Sequence, residues 1–222
     1  MNADTGTGTG TTSRGVFVSV DGPGGVGKST AIRLVAEQLT RRGFVVHLTT
    51  EPSRTPLGEL IRAGTETYQG MALACLVTGD RHHHLASEIR PQLASGAVVV
   101  CDRYVPSSLV LQRMDGLDWE TIWELNNGAD RPDLAVILNA DASVIASRLA
   151  GRGGHSRFER LPHSSEIESE LYRDTAARLT EVGWPMRVID CTTRTPTDVV
   201  AILVSLIVTA HVPVNRSTHE HH

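Results

Sequence analysis

The chain of 222 residues lacks any apolar run of membrane-spanning length, and its first residues, MNADTGTGTGTTSR, lack the hydrophobic region of a secretory signal. The expectation is therefore a cytoplasmic protein with no membrane partner, led by a disordered segment over residues 1–14. Cysteine is scarce. Cys75, Cys101 and Cys191 lie far apart and inside apolar runs, which argues against a disulfide framework or a thiolate metal site and for buried, reduced thiols. Nor is there an excess of one charge: the net charge of -4 gives no case for coating nucleic acid or a membrane surface. Phosphate chemistry, if present, has to come from individually placed arginines. There is no internal repeat. The polar tail, 211–222, ends in HEHH, whose plain reading is solvation, with adventitious metal binding as the lesser one. Between leader and tail, residues 15–210 suffice for one α/β core, and 40% of the chain is hydrophobic.

What is present is a strand, a glycine-rich turn and a helix in immediate succession. Val16 to Val20 form a short β-branched run of the kind buried in a parallel sheet. Then come Gly22, Pro23, Gly24, Gly25, Val26, Gly27, Lys28, Ser29 and Thr30, in which glycine, four residues and Gly-Lys-Ser reproduce the spacing of a phosphate-binding loop. Glycines let successive backbone N–H groups converge on phosphate oxygens, and the following helix adds its positive dipole end. Lys28 then reaches the terminal phosphates and Ser29 ligates magnesium. The alternative is a chance glycine-rich turn; the agreement of strand, spacing and helix favours a nucleoside triphosphate.

Further along, apolar β-type runs alternate with helical patterns, the sign of a parallel sheet covered on both faces. Helices are expected over 28–42, 57–63, 70–93, 118–126, 165–180 and 196–208. Strands are expected over 44–49, at the run AVVVCD, over 134–138 and around 187–189. Ligands in such sheets sit beyond the carboxyl ends of the strands. The phosphate loop, Glu51, Asp102 and Arg103 all fall at such ends. Asp102 is placed to hold magnesium, and Arg103 offers a planar fork for a phosphate oxyanion; the plainer reading of the two is a surface ion pair.

The segments VDGPGGVGKST, TTEPSRTPLGELIR, GDRHHHLASEIRPQL, CDRYVPSSLVLQ and RPDLAVILNAD, in that order and at those distances, resemble the thymidylate kinase family of nucleoside monophosphate kinases. The resemblance runs from about residue 15 to residue 208 and is most specific at the phosphate loop and at the Asp-Arg-Tyr-x-x-Ser segment. It implies a P-loop three-layer fold with a five-stranded parallel sheet flanked by helices on both faces. It also implies magnesium-dependent transfer of the γ-phosphoryl of ATP to a pyrimidine nucleotide monophosphate, and a homodimer packed through helices. Residue by residue, it implies that Asp21 lies near the acceptor sugar and the magnesium shell, that Arg103 holds the acceptor phosphate and that Arg81 hydrogen-bonds the base. Glu51 and Pro52 join the acceptor wall, and Ser107, Ser108 and Gln112 edge the base. An exposed helix arginine and helix-capping serines are the plainer readings of Arg81 and the two serines.

Residues 146–160 resemble the family's mobile lid, with its loop at about 150–160. There the glycines at 151, 153 and 154 give a hinge-like loop, and Arg148, Arg152 and Arg157 close over the triphosphate, shutting out water; a solvated basic loop is the alternative. The chain also departs from the family. Val77 stands where an aromatic ring usually stacks on the base, Leu111 where a tyrosine crowds the sugar 2′ position, and Thr50 where an arginine precedes Glu-Pro. A modified pyrimidine, or weaker discrimination against ribose, follows unless another ring, Tyr68 or Tyr104, restores the pocket. Of the consecutive His82, His83 and His84, at least one faces the crevice, and Trp119 and Trp123 read as core or interface packing.

Two rival functions share the loop. A nucleotide-dependent switch needs no second phosphate site, and its GTP-binding version lacks an Asn-Lys-x-Asp sequence here. A nucleoside kinase needs a base for a hydroxyl acceptor, and Glu51 is the candidate.

Overall fold

The structure is a computed structural model that describes residues 14–152 and 156–211, with the side chain of Arg152 outside that description. The leader through residue 13, residues 153–155 with the two expected lid glycines, and the tail from 212 onward also lie outside it.

Strand β1 (Val16–Asp21) shows why both faces of the sheet are covered. Successive side chains of a strand point to opposite faces, and every residue of β1 is buried. Val16, Val18 and Val20 join one apolar cluster, with Ile32, Val35 and Leu39 of α1 (Lys28–Arg41) and Val200, Leu203 and Val204 of α9 (Pro196–His211). Phe17 points the other way, into a cluster with Leu109 of α5 (Val105–Met114), Tyr172 and Leu179 of α8 (Ser164–Glu181), and Val99 of β3 (Val98–Asp102). With β2 (Val46–Thr50), β4 (Leu134–Asn139) and β5 (Met186–Asp190) the sheet has five strands in the order β2-β3-β1-β4-β5. All pairings are parallel.

The register brings the expected strand ends to one level. Asp102 lies opposite Val20 of β1 and Thr50 of β2. The first turn after β1, the segment after β2 and the Asp102–Arg103 pair therefore open onto one crevice. Over it lie α2 (Pro56–Gly64) and α3 (Gly70–His84), and α5 forms its wall. The remaining helices are α4 (Arg90–Ala94), α6 (Trp119–Leu125) and α7 (Ala142–Arg152).

Three local outcomes differ from the sequence reading. The helix expected over 70–93 is divided: after α3 the chain makes a wider turn at Leu85–Ile89, where the Arg90 N–H reaches back to the Leu85 carbonyl, before α4 begins. Pro91 has no N–H to continue the regular ladder, which accounts for the break. Cys75 is exposed, whereas Cys101 and Cys191 are buried; all three are free thiols. Leu73 and Ala74 take the inward face of α3, and a helix rotates the next residue away by about 100°. Finally, α7 runs through Gly151 to Arg152, so the glycine at 151 is helical rather than a hinge. Among the described residues no helix is long and apolar enough to cross a membrane.

Candidate active site

The phosphate loop is shaped by glycines where other residues fit poorly. Gly25 and Gly27 have φ of 78° and 104°, in the left-handed region that disfavours side chains. A Cβ on Gly22 would come within 2.1 Å of the Leu138 carbonyl oxygen, because the loop crosses directly over β4. Lys28, at the start of α1, folds back so that its ammonium donates to the carbonyls of Gly22 and Pro23 at 2.7 and 2.8 Å. Burial, reinforced by the neighbouring Arg103, pushes its pKa down to about 7, against the opposing pull of Asp102, Glu168 and Asp21. Beside it the Ser29 hydroxyl donates to Asp102 Oδ2 at 2.6 Å.

The crevice is a cavity of about 450 Å³. Gly24, Gly25, Gly27, Lys28, Ser29 and Thr30 form its loop side. Arg103 enters from the end of β3 with φ of 73°, an uncommon conformation for a side-chain-bearing residue. Its guanidinium donates to the Ser107 hydroxyl and the Tyr172 hydroxyl, each at 3.3 Å. Burial lowers its pKa, but Tyr172, followed by Asp102, Glu168 and Asp21, outweighs that effect and holds it above the ordinary arginine value.

The far end of the cavity gathers Glu51, Pro52, Val77, Arg81, Ser108 and Leu111, with Ser107 and Gln112 beside them. Arg81 is not an exposed helix arginine: it is 1% exposed and fully engaged. It pairs with Glu51 Oε2 at 2.7 Å, donates to Ser108 Oγ at 2.9 Å and to Asn126 Oδ1, and lies over the Tyr104 ring. Burial, the largest influence, lowers its pKa, but Glu51, Tyr104 and Asp21 together hold it above the ordinary arginine value. Of the three histidines, only His84 turns inward, and it sits behind the cavity wall against Glu51 at 3.4 Å. Glu51, His84 and Cys101 come within 4.8 Å of one another. Their donor set does not suit a metal: Glu51 is held by Arg81, and burial pushes the Cys101 thiol well up.

Several expected site residues lie elsewhere. Asp21 is fully buried and does not line the cavity. Its Oδ1 accepts N–H groups of Tyr104 and Ser107 and the Ser107 hydroxyl, fastening the turn between β3 and α5. Burial raises its pKa above the usual carboxylate value. Val26 and Arg148 line a second cavity on the other side of the loop; Arg148 donates to the Val26 carbonyl there at 3.3 Å. Arg157 is not among the cavity-lining residues: it pairs with Asp115 at 2.7 Å and stacks on Phe158. Thus of the lid arginines, Arg148 touches the loop from outside, Arg157 is pinned, and the side chain of Arg152 lies outside the described residues. Trp119 and Trp123 stack with centroids 6.3 Å apart and pack on the core.

The structure also brings in residues not anticipated from sequence. Phe158, 5% exposed, lines the cavity and shares an apolar cluster with Ile61, Leu73, Val77 and Leu111. Tyr68 borders the same cluster, while Tyr104 is buried against Phe17 and under Arg81. A ring therefore does stand beside Val77 and Leu111, and it comes from the segment between α7 and α8. Glu168 of α8, 3% exposed, accepts the Gly24 N–H at 3.0 Å.

A family model described as thymidylate kinase matches residues 20–183. The chain belongs to the thymidylate kinase family. Among curated relatives, it is 41% identical over 161 residues to a probable thymidylate kinase of Caldivirga maquilingensis, covering 71% of this chain and 78% of that one. It is 40% identical over 154 residues to the thymidylate kinase of Pseudomonas fluorescens, covering 65% of this chain and 73% of that one. The solved thymidylate kinase of Candida albicans superposes with a TM-score of 0.72 at 24% identity, over 89% of this chain and 94% of that one. That likeness supports the α/β fold with its five-stranded parallel sheet. The family is one of ATP-dependent nucleoside monophosphate kinases, and the crevice runs from Lys28 at the phosphate loop to Arg81 on α3.

Proposed function

We propose that the protein transfers the γ-phosphoryl group of ATP to dTMP or a close analogue, giving the nucleoside diphosphate and ADP. The observation that carries this reading is the joining of two cationic seats in one cavity: Lys28 at the phosphate loop and Arg103 at the end of β3. A switch needs only the first. A nucleoside kinase needs a free base, and Glu51 is engaged with Arg81 at 2.7 Å.

In this reading the loop amides and Lys28 hold the donor phosphates, and Arg103, oriented by Ser107 and Tyr172, holds the acceptor phosphate in line with them. Ser29 and Asp102 suit a magnesium ion, because they set a hydroxyl and a carboxylate oxygen side by side at the cavity. When bound, the ion supplies charge neutralisation for the donor phosphates. No general base is required, since the attacking phosphate oxygen is already ionised near neutral pH. Arg81 positions Ser108 and faces the base, and Phe158 closes the apolar side that Val77 and Leu111 leave without rings. Arg148 serves ATP from the second cavity, and Arg152 and Arg157 serve the lid if Arg157 exchanges Asp115 for phosphate. Family membership further supports a homodimer in the cytoplasm, which sedimentation at micromolar concentration and fractionation would test. The function itself is tested by ADP release with ATP and a panel of dTMP, dUMP, UMP, CMP and the corresponding nucleosides. Release dependent on a monophosphate is expected; release dependent on a nucleoside, or independent of any acceptor, would contradict it.

A further inference from the structure

Glu168 is placed where a kinase least tolerates a carboxylate. It lies in the second turn of α8, 3% exposed, and its Oε2 accepts the N–H of Gly24 in the phosphate loop at 3.0 Å. A loop amide of this kind is a seat for anions. Burial raises the pKa of this carboxylate, while the charges of Arg103 and Lys28 oppose that rise, and it acts in turn on both of them. One turn further along α8, Tyr172 meets Arg103, as expected for residues four apart on one helix face. The same face of α8 therefore reaches the loop and the acceptor arginine together. A carboxylate bonded to a loop amide, on the cavity that Lys28 and Arg103 also line, holds a seat suited to a phosphate anion.

We propose that Glu168 is a specificity-determining residue of the donor site: its carboxylate holds the seat of the transferred phosphoryl group, and a nucleotide enters fully only by displacing it. The proposal rests on the kinase reading in taking ATP as donor. A nucleoside diphosphate lacks the third phosphate and leaves Glu168 on Gly24. ATP brings a phosphate to the same amide, and two anions do not share it. Glu168 thus weakens ATP binding relative to ADP binding, and in the empty site it balances Lys28 and Arg103. Purely structural anchoring of α8 to the loop predicts a different pattern, because losing an anchor impairs both nucleotides alike.

The test is titration calorimetry on the full chain with ATP and with ADP, each in EDTA, for the wild type and Glu168→Gln. Glutamine keeps the size and can still accept from Gly24, but carries no charge. The expected result is ATP bound roughly tenfold more tightly by the variant, with ADP changed by less than about twofold, alongside a lower melting temperature of the empty protein. An ATP-to-ADP affinity ratio that is unchanged or lowered overturns the proposal. Glu168→Ala must shift the ratio in the same direction, and replaces the glutamine variant should that one fail to fold. Because the assay contains no acceptor, a wild type that fails to bind ATP sinks the kinase reading, whereas an unchanged ratio in an ATP-binding variant sinks only the role of Glu168.

Discussion

Lys28 carries the sharpest prediction at the scale of single residues. Its folded pKa, about 7, lies below the ordinary 10.5 because burial disfavours the charged form. Between these values the unfolded chain holds a proton that the empty folded protein does not, so this group makes stability rise with pH across that window. Triphosphate beside the amine reverses the burial effect. ATP binding at pH 8 should therefore take up protons, seen by calorimetry in buffers of different ionisation enthalpy, and Lys28→Met should abolish that uptake. The same variant should lower kcat on the order of 10²- to 10³-fold while leaving dTMP affinity nearly unchanged by equilibrium titration. Arg81 behaves as a buried partner rather than a surface charge. Arg81→Met strands Glu51 in the interior and should destabilise the fold by about 3–5 kcal/mol in denaturant unfolding. Adding Glu51→Gln should recover a clear part of that loss, because the two residues share one ion pair.

Helices and the segment between α7 and α8 decide which way those side chains face. The phosphate loop and Asp102–Arg103 were legible in the sequence because each is a local pattern: a spacing, or a charged pair closing an apolar strand. Phe158 and Glu168 were not: Glu168 meets the phosphate loop 144 residues away, Phe158 meets Ile61, Val77 and Leu111 across dozens of residues, and helical periodicity does not say which residue between α7 and α8 turns inward. Arg157 and Phe158 are neighbours with opposite fates. Asp115, just past the end of α5, captures the arginine and leaves the ring to the cavity. Asp21 misled for a related reason: its place before the loop is visible, but the backbone N–H groups that absorb its carboxylate belong to a turn over eighty residues away. If Phe158 stands in for the missing base-stacking ring, Phe158→Ala should raise KM for dTMP by roughly five- to twentyfold and change KM for ATP much less. Equal effects on both substrates in steady-state kinetics would instead mark the ring as part of lid packing.

At the scale of the whole molecule, the fold was readable from alternation alone. Nearly continuous apolar strands separated by helical segments admit little besides a parallel sheet covered twice, and β1 realises this by sending alternate residues into two cores. Strand order then does the functional placement, by setting β1 between β3 and β4 so that the loop and Arg103 end on the same edge. The proposed kinase activity requires these two ends to form one two-phosphate site. Its most direct measurement is initial-rate ADP formation from ATP with and without dTMP, for the wild type and Arg103→Ala. ADP formation should require dTMP in the wild type, and kcat/KM for dTMP should fall by at least about 10²-fold in the variant, with ATP affinity little changed. ADP formation that proceeds equally without dTMP, or a variant with undiminished dTMP turnover, would contradict it.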